Sequence, residues 1–426
     1  MFDCTQGMRD TTSKQNQKEV EQGLTITLPA VVATSLQELV HTVGMHALDA
    51  LLKAEQTALC GPRYQHDPQR AANRHGSTAG ELVLGGRRVR VRKPRVRSVD
   101  GQELKLPTWE QFSNEDPLDE RATEQMLIGV STRKYARSLE PLPEDLDAFG
   151  TSKSAVSRRF VKQTTAQVEE FLRRPLDSLR LCVLMLDGVH VAEHVLLVAV
   201  GIDEQGYKHV LGMREGASEN AVSCRELLCD LRERGMQTER SLLVVLDGSK
   251  ALSKAVREVF GERALIQRCR VHKERNVTEQ IPKELVPSVR HTMRQAYASR
   301  DAVRATKQVE NLARSLEAEH PGAASSLREG LSETLTVMRL RLPDELVRHL
   351  SSTNLIENLI GSVRKLSARV QNWRDGQMAL RWTCATAMDA SKRFRRLKGY
   401  RGLPSLLKAL RDHDHHLGLA PQTQAA

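Results

Sequence analysis

The chain has 426 residues, of which 40% are hydrophobic and 27% are charged, and its formal net charge is +11. This length and apolar content suffice for the cores of two or three domains, which excludes a generally disordered protein. No stretch approaches the roughly 18 consecutive apolar residues of a membrane span, and residues 1–20 are too polar for a secretory signal. We therefore expect a cytoplasmic protein that has no membrane partner.

The composition also bears on partners and on redox state. The excess of Lys and Arg favours a polyanionic partner, most commonly nucleic acid, although a basic surface that binds nothing is an alternative. The seven cysteines show no disulfide spacing and several lie in apolar patterns, so we expect reduced thiols.

The N-terminal region begins with a polar stretch, residues 1–22, which we expect to be a disordered tail. A helix is predicted from Ser35, because Ser35 and Glu38 fit a capping box and apolar residues then recur at helical spacing. The stripe expected to pack consists of Leu36, Leu39, Val40, Val43, Ala47 and Leu51.

Basic residues concentrate in the segment Gly85–Arg97, GGRRVRVRKPRVR. In a strand, Val89 and Val91 would lie on one face and the alternating arginines on the other. These arginines are Arg88, Arg90 and Arg92. We predict a two-stranded basic ribbon that contacts DNA phosphates. The alternative is a solvated edge strand that its charge protects from aggregation.

A second basic segment, GTSKSAVSRRF at Gly150–Phe160, predicts a helix with Thr151 or Ser152 as its N-cap. Arg158 and Arg159 would lie on its exposed side. With helices expected throughout residues 118–175, the segment is similar to the second helix of a helix-turn-helix, which would place these arginines near DNA. An ordinary surface helix is the alternative.

From Leu181 the pattern changes to strands. Apolar runs at Cys182–Leu186, Val195–Ile202 and Lys208–Met213 are joined by short connections, which predicts an antiparallel meander. Alternating helices and strands are predicted next, at Asn220–Arg234, Leu242–Leu246, Ser253–Phe260 and Ala264–Arg268, with a helix after His272. This is the element order of an α/β, ribonuclease-H-like domain with a mixed sheet.

Two of these strands end in Asp-Gly, at Asp187 and Asp247. Each dipeptide by itself is more typical of a turn. If the strands are neighbours, however, the two carboxylates meet at one edge of the sheet.

A third carboxylate is offered by a helix predicted over Thr353–Gln371, beyond a helical insertion at residues 280–350. At 100° per residue, Glu357 lies beside the apolar stripe, in line with Gly361, Arg364 and Ala368. The small residues leave room for a substrate or a metal, and Arg364 could contact phosphate. The stripe expected to face the sheet is Leu355, Ile356, Leu359, Ile360, Val363, Leu366 and Val370.

Three convergent carboxylates are suited to hold Mg²⁺, with Mn²⁺ as a possible substitute, since hard cations prefer oxygen ligands. Two such ions roughly 3.5–4 Å apart can activate water or a 3′-hydroxyl. The histidines of the C-terminal tail, His413, His415 and His416, are in contrast expected to bind no metal.

Five segments, in matching order and spacing over residues 60–400, together resemble the mutator-type transposases of bacterial insertion sequences. They are LDGVHV (Leu186–Val191), VLLVAVGIDEQGYKHVLGMREGASEN (Val195–Asn220), VVLDGSKAL (Val244–Leu252), RCRVHKERNV (Arg268–Val277) and STNLIENLIGSVRKL (Ser352–Leu366).

The resemblance implies a DDE transposase with Asp187, Asp247 and Glu357 as its metal-binding triad. It implies that residues 23–175 recognise the terminal inverted repeats of the element, and that the all-helical insertion divides the catalytic domain into residues 176–279 and 351–403, followed by a tail at 404–426. The partners would be DNA, as element ends and as target, and further copies of the chain, because two ends are processed together. The protein would then be associated with the nucleoid.

Cys269 and His272 match the Cys-x-x-His signature of the same family. Two ligands do not make a zinc site, so a structural or DNA-proximal role is favoured. After Glu357 the chain has Asn358 and Leu359 where family members commonly carry a basic residue, and nearby cations could compensate: Arg364, Lys365 and Arg369.

Two other functions share parts of this pattern. A catalytically inactive DNA-binding protein would not need all three acids, so their presence argues against it. A ribonuclease-H-like nuclease without strand transfer would use the same triad, and only a strand-joining assay would separate it.

Overall fold

The computed structural model describes residues 36–65, 70–84, 86–114, 117–139, 147–216, 221–370 and 372–419. The chain forms two compact units. The first comprises the described residues up to Met126 together with Val130–Phe160, and the second comprises Leu127–Gly129 and the chain from Val161 onward. The chain therefore passes from the first unit to the second at Phe160–Val161, inside the helix Lys153–Arg173, whereas the sequence predicts the end of the N-terminal region at residue 175. The tail expected at residues 1–22 lies outside the described residues.

The first unit is built around a long antiparallel ribbon. The helices and strands before the large sheet are α1 (Leu36–Cys60), β1 (Ala72–Leu84), β2 (Arg87–Ser98), β3 (Glu103–Leu104), α2 (Pro107–Asn114), α3 (Pro117–Leu127), β4 (Ala148–Phe149) and α4 (Lys153–Arg173). The last of these, α4, begins in the first unit and continues into the second. Strands β1 and β2 pair from Ala72 with Ser98 to Leu84 with Arg87, which confirms the ribbon. Gly85, the first residue of the basic segment, is outside the described residues, whereas Gly86 has a positive φ of 83°.

Helix α1 is present, but the face predicted to pack is wrong. Leu48 and Leu52 are buried against the ribbon, while Val43 and Leu51 of the predicted stripe are 41% and 52% exposed. The helix carries apolar residues on more than one face, so their spacing alone could not select the face that is buried. That face is set by the ribbon, to which Gln56 also donates a hydrogen bond.

The segment before α4 differs from the helix-turn-helix interpretation. Instead of a helix, strand β4 precedes α4, and it pairs with β2 through Arg88 opposite Phe149 and Val89 opposite Ala148. The β2 edge is free to accept a third strand there, which favours strand over helix. The N-cap prediction is confirmed, since Ser152 Oγ accepts the N–H of Ala155 at 3.3 Å.

The second unit is organised around a five-stranded mixed sheet in the order β7-β6-β5-β8-β9. The pairs β5-β6 and β6-β7 are antiparallel, whereas β5-β8 and β8-β9 are parallel. The predicted meander followed by alternating helices and strands is therefore confirmed. The elements are β5 (Leu181–Val191), β6 (His194–Asp203), β7 (Lys208–Gly216), α5 (Ala221–Glu233), β8 (Leu242–Leu246), α6 (Lys250–Phe260) and β9 (Ala264–Arg268).

Helices cover both faces of this sheet. Successive side chains of its buried strands therefore enter two different cores, one on each face. On β8, Leu243 and Val245 enter one core, and Val244 and Leu246 enter the other. The first core contains α14 (Asn354–Ser367), α15 (Gly376–Ser391) and α16 (Leu403–His416). The second contains α5 and α6.

Between β9 and α14 the chain forms a series of helices with a core of its own. They are α7 (Arg270–Thr278), α8 (Val286–Ala298), α9 (Ala302–Leu316), α10 (Pro321–Arg328), α11 (Leu331–Thr334), α12 (Thr336–Arg339) and α13 (Asp344–Leu350). The buried Gln267 of β9 joins this insertion to the sheet: its amide donates to Thr334 O at 2.8 Å and its oxygen accepts the N–H of Val337 at 2.9 Å.

Helix α16 (Leu403–His416) occupies much of the segment expected to be a tail at 404–426. Leu406 and Leu410 are buried, and Asp414 accepts hydrogen bonds from the N–H and Oγ of Ser241 at 2.8 and 2.6 Å. These contacts dock the helix beside the start of β8. None of the described helices is both long and apolar enough to cross a membrane.

Candidate active site

Asp187 and Asp247 lie side by side on neighbouring parallel strands. Leu186 of β5 is in register with Leu246 of β8, so the aspartates occupy the next position of each chain. Strands in a sheet are about 4.8 Å apart. By the alternation of side chains, both aspartates follow Met185 and Val245 onto the sheet face that packs against α14.

Asp187 is inside a strand, which corrects the prediction that the strand ends at Asp-Gly. Strand β5 continues to Val191, and Asp187 pairs with Val198 of β6. The dipeptide forms no turn because β6 offers a hydrogen-bonding partner beyond Gly188. Asp187 as a residue is 8% exposed, and its Oδ1 accepts the N–H of Gly188 at 2.8 Å.

Asp247 follows the last residue of β8 and begins the loop to α6. Its Oδ1 accepts the N–H of Ser249 at 2.8 Å, and Ser249 in turn caps α6 by accepting the N–H of Leu252. Gly248 between them has a φ of 114°, a backbone conformation that is essentially restricted to glycine. The glycine of this Asp-Gly therefore shapes the loop that presents the carboxylate.

Glu357 is in the first turn of α14, and the centre of the predicted stripe is confirmed, since Ile356, Leu359, Ile360 and Val363 are buried. The other predicted members, Leu355, Leu366 and Val370, are half-buried, and the helix ends at Ser367 rather than at Gln371. The Glu357 side chain is 35% exposed, and a Cβ added at Gly361, one turn later, would meet nothing within 4 Å. The space expected beside the acid is therefore present.

The electrostatics of Asp187 indicate that the three acids share one site. Burial raises the pKa of Asp187, and the charge of Asp247 and then that of Glu357 raise it further, to about 7. The Gly188 N–H and His272 act in the opposite direction. Asp187 is thus a buried carboxyl group with two further carboxylates near enough to raise its pKa.

Cys269 connects the end of β9 to the start of α14. Its Sγ accepts the N–H of His272 at 3.5 Å, which caps α7, and the N–H of Thr353 at 3.4 Å. Burial would raise the pKa of the Cys269 thiol, but the hydrogen bonds from His272 and Thr353 outweigh it and lower the pKa. The cysteine thus joins two segments that the whole insertion separates in sequence.

His272 and Thr353 both contact Glu357. Thr353 Oγ1 donates to Glu357 Oε1 at 2.9 Å, and His272 Nδ1 is 3.6 Å from the same oxygen. The hydrogen bond to Cys269 and the nearby charges of Glu357 and Asp187 raise the pKa of His272 to about 9. The contact of Thr353 was missed in the sequence, although its position four residues before Glu357 placed it one turn away on the same helix face.

Cys269, His272 and Glu357 each place one ligand atom within 4.8 Å of the other two. Among the described residues, no other three His, Cys, Asp or Glu side chains bring their ligand atoms this close together. Three ligands are one fewer than a structural zinc site requires, and Cys269 Sγ already accepts two N–H groups. The structural or DNA-proximal role favoured for the signature stays a prediction.

The basic residues predicted to bind DNA lie in both units. In the first, Arg92 and Arg158 are exposed, while Arg90 pairs with Asp147 at 2.8 Å. Two others are also engaged: Arg88 lies 3.5 Å from Glu81 and Arg159 donates to Gly150 O at 2.5 Å. In the second unit, Arg364 is exposed on α14, two turns after Glu357.

A family profile described as "Transposase, Mutator family" matches residues 11–396. The chain belongs to the Mutator family of transposases. This match spans the ribbon, both aspartates, the Cys-x-x-His segment and Glu357. The resemblance predicted from the sequence motifs is therefore confirmed.

Individual transposases of insertion sequence elements are similar to this chain over more than half of its length. A transposase for the insertion sequence element ISRM5 of Rhizobium meliloti is 27% identical over 381 residues, which cover 87% of this chain and 91% of the relative. A transposase for IS1081 of Mycobacterium tuberculosis is 28% identical over 84% of this chain and 86% of the relative. A transposase for IS6120 of Mycolicibacterium smegmatis is 31% identical over 56% and 73%.

Proposed function

We propose that this protein is a DDE transposase that cuts DNA at the ends of its own insertion sequence and joins the freed 3′-hydroxyl to target DNA. The observation that supports the proposal is the position of Asp187 and Asp247 side by side on β5 and β8, with Glu357 of α14 near enough for its charge to raise the pKa of Asp187. The order of the sheet, three antiparallel strands followed by two parallel ones, supports a ribonuclease-H-like catalytic domain.

The chain holds each carboxylate so that one oxygen stays available. Gly188 and Ser249 donate to Oδ1 of Asp187 and Asp247, and Thr353 donates to Oε1 of Glu357. Within the described part of the chain, the second oxygen of each acid accepts no hydrogen bond. Hard, preoriented oxygens of this kind fit Mg²⁺, or Mn²⁺ in its place.

The fit to a cation is supported by the charge around Asp187. Among the described groups that influence the pKa of Asp187, one is cationic, His272, and two are carboxylates, Asp247 and Glu357. When bound by the three acids, Mg²⁺ would neutralise charge on the scissile phosphate and lower the pKa of the attacking hydroxyl. The protein would contribute the orientation of the ligands and, through Arg364, contact with a neighbouring phosphate.

DNA is the proposed partner in two forms, element ends and target. The exposed Arg92 and Arg158 of the first unit would contact phosphates at the ends. Because two ends must be held together, we propose that the active form is a homo-oligomer on DNA.

The decisive variant is Asp247→Ala, measured with duplexes that carry the element ends. We expect strand cleavage to be abolished while binding to the ends is retained. Cleavage by this variant at the wild-type rate would refute the triad. Strand joining with pre-cut ends tests the second half of the proposal: cleavage without joining would identify a nuclease, and binding without either reaction in the wild type would identify an inactive DNA-binding protein.

A further inference from the structure

A basic cleft lies in the second unit between the helical insertion and α16. Its volume is about 1020 Å³, and one acidic residue, Asp344, is among the residues that line it. Five of the lining residues are arginines: Arg270, Arg294, Arg300, Arg341 and Arg348. Such an excess of guanidinium groups in one concavity favours an anionic ligand.

Arg270 is a cation with an unsatisfied donor. Its guanidinium stacks 5.0 Å from the centre of the Tyr297 ring, and it donates to the carbonyl oxygens of Thr334 and Tyr297, each at 3.3 Å. Its Nη2 is buried, and no hydrogen-bond partner for it exists among the described atoms. Burial lowers the pKa of Arg270. A buried, unpaired N–H next to an open cleft is completed by an anionic oxygen of a ligand.

The other arginines divide into two kinds. Arg294 and Arg300 form ion pairs with Glu274 and Asp344. Arg341 and Arg348 are exposed, and neither forms an ion pair within the part of the chain that the structure describes. Three of the five guanidinium groups are therefore available to a ligand.

The cleft adjoins the candidate active site through the chain itself. Arg270 directly follows Cys269, and its N–H donates to Ser351 O at 2.9 Å. Cys269 contacts Thr353, which holds Glu357. These contacts link the Arg270 wall of the cleft to the segment that positions Glu357.

We propose that this cleft binds the phosphodiester backbone of DNA next to the strand that is cut. The inference rests on the proposed function, since DNA at the carboxylates is its starting point. The planar fork of guanidinium donors matches phosphate oxygens, and the spread of the arginines over a cleft of about 1020 Å³ suits successive phosphates rather than one small anion.

The test compares two double variants that remove the same charge. In Arg341→Asn/Arg348→Ala, asparagine is chosen because residue 341 has a positive φ of 52°, which asparagine tolerates. The matched control, Arg304→Ala/Arg314→Ala, removes two exposed arginines of α9 that do not line the cleft.

Affinity is measured against salt concentration with three duplexes: an element end with flanking DNA, a pre-cut end without it, and an unrelated target duplex. We expect the cleft variant to lower the salt slope by about 1–2, roughly 0.9 for each lost phosphate contact, and the control to leave it unchanged. A loss confined to the first duplex assigns the cleft to flanking DNA, and a loss confined to the third assigns it to the target. An unchanged slope in the cleft variant, or an equal loss in the control, would overturn the proposal.

Uncharged methylphosphonate linkages give a second measurement. Placed at the DNA phosphates that Arg341 and Arg348 contact, these linkages should weaken DNA binding by the wild type and have no effect on DNA binding by the cleft variant. A cleavage assay of Asp247→Ala separates the two proposals: if this variant cleaves DNA, the triad fails, whereas an unchanged salt slope in the cleft variant refutes only the cleft.

Discussion

Thr353 Oγ1 donates a 2.9 Å hydrogen bond to Glu357 Oε1, one helical turn further along the chain. The N–H of the same threonine donates to Sγ of Cys269. The carboxylate is therefore tied to the end of β9, and so to the sheet that carries Asp187 and Asp247. Because such outer contacts orient metal ligands, Thr353 and Cys269 are positions where a substitution should act on the site from a distance.

Replacing Thr353 with valine keeps the shape of the side chain and removes the hydroxyl. We expect Thr353→Val to weaken Mg²⁺ binding by about 10- to 100-fold, the usual effect of removing a contact to a metal ligand. Calorimetric titration with Mg²⁺ and the Mg²⁺ dependence of cleavage measure this. Thr353→Ser, which keeps the hydroxyl, should behave like the wild type; equal weakening in both variants would contradict the proposed role.

Cys269→Ala removes an acceptor from two buried N–H groups, those of His272 and Thr353. We expect it to lower the free energy of unfolding by about 1–3 kcal/mol more than a matched cysteine variant without this acceptor role. Cys384→Ala is the control, since Cys384 is equally buried and packs in the apolar core. Denaturant unfolding of the two variants gives the difference, and equal losses would show that only side-chain volume matters.

Asp187 makes the stability of the metal-free protein depend on pH. Its pKa is raised from 3.8 to about 7, so between these values the folded state keeps a proton that the unfolded state has lost. The free energy of unfolding should therefore fall as pH rises from about 4 to about 7. Asp187→Asn should abolish this fall, and saturating Mg²⁺ should oppose it. Urea unfolding at a series of pH values measures it, and a slope that Asp187→Asn leaves intact would assign the effect elsewhere.

His272 contributes a second pH window in the same experiment. Its pKa is raised from 6.5 to about 9, so the stabilisation is fully present below 6.5 and is lost as pH rises through 9. We expect His272→Gln to remove the fall between about 6.5 and 9 and to leave the one between 4 and 7. If the fall in the free energy of unfolding disappears from both pH ranges in this variant, His272 and Asp187 titrate as one unit.

Lys273 of α7 ties this helix to the end of α10 within the helical insertion. Its Nζ is buried and donates to Ser326 O and Glu329 O at 2.7 and 2.8 Å. Lys273→Met keeps most of the side-chain volume but leaves both carbonyls without this donor, so we expect a loss of about 1–3 kcal/mol in the free energy of unfolding. The exposed Lys283→Met is the control and should change little. Thermal or denaturant unfolding distinguishes them.

The sequence by itself determined what depends on local periodicity. Alternating or continuous apolar runs identified the strands around Asp187 and Asp247, and the 3.6-residue repeat of Ile356, Leu359 and Val363 identified the buried face of α14. These patterns are visible locally because a strand or helix presents its faces at a fixed period whatever it packs against.

The tertiary structure decided everything that depends on which surfaces meet. Strand β5 passes through Asp187-Gly188 because β6 lies beside it, and α1 buries Leu48 rather than Val43 because the ribbon covers that face. The contact of Cys269 with Thr353 joins residues 84 positions apart, and the arginine cleft gathers side chains from several helices. No local period encodes such contacts, since they arise only when the insertion folds and returns α14 to the sheet.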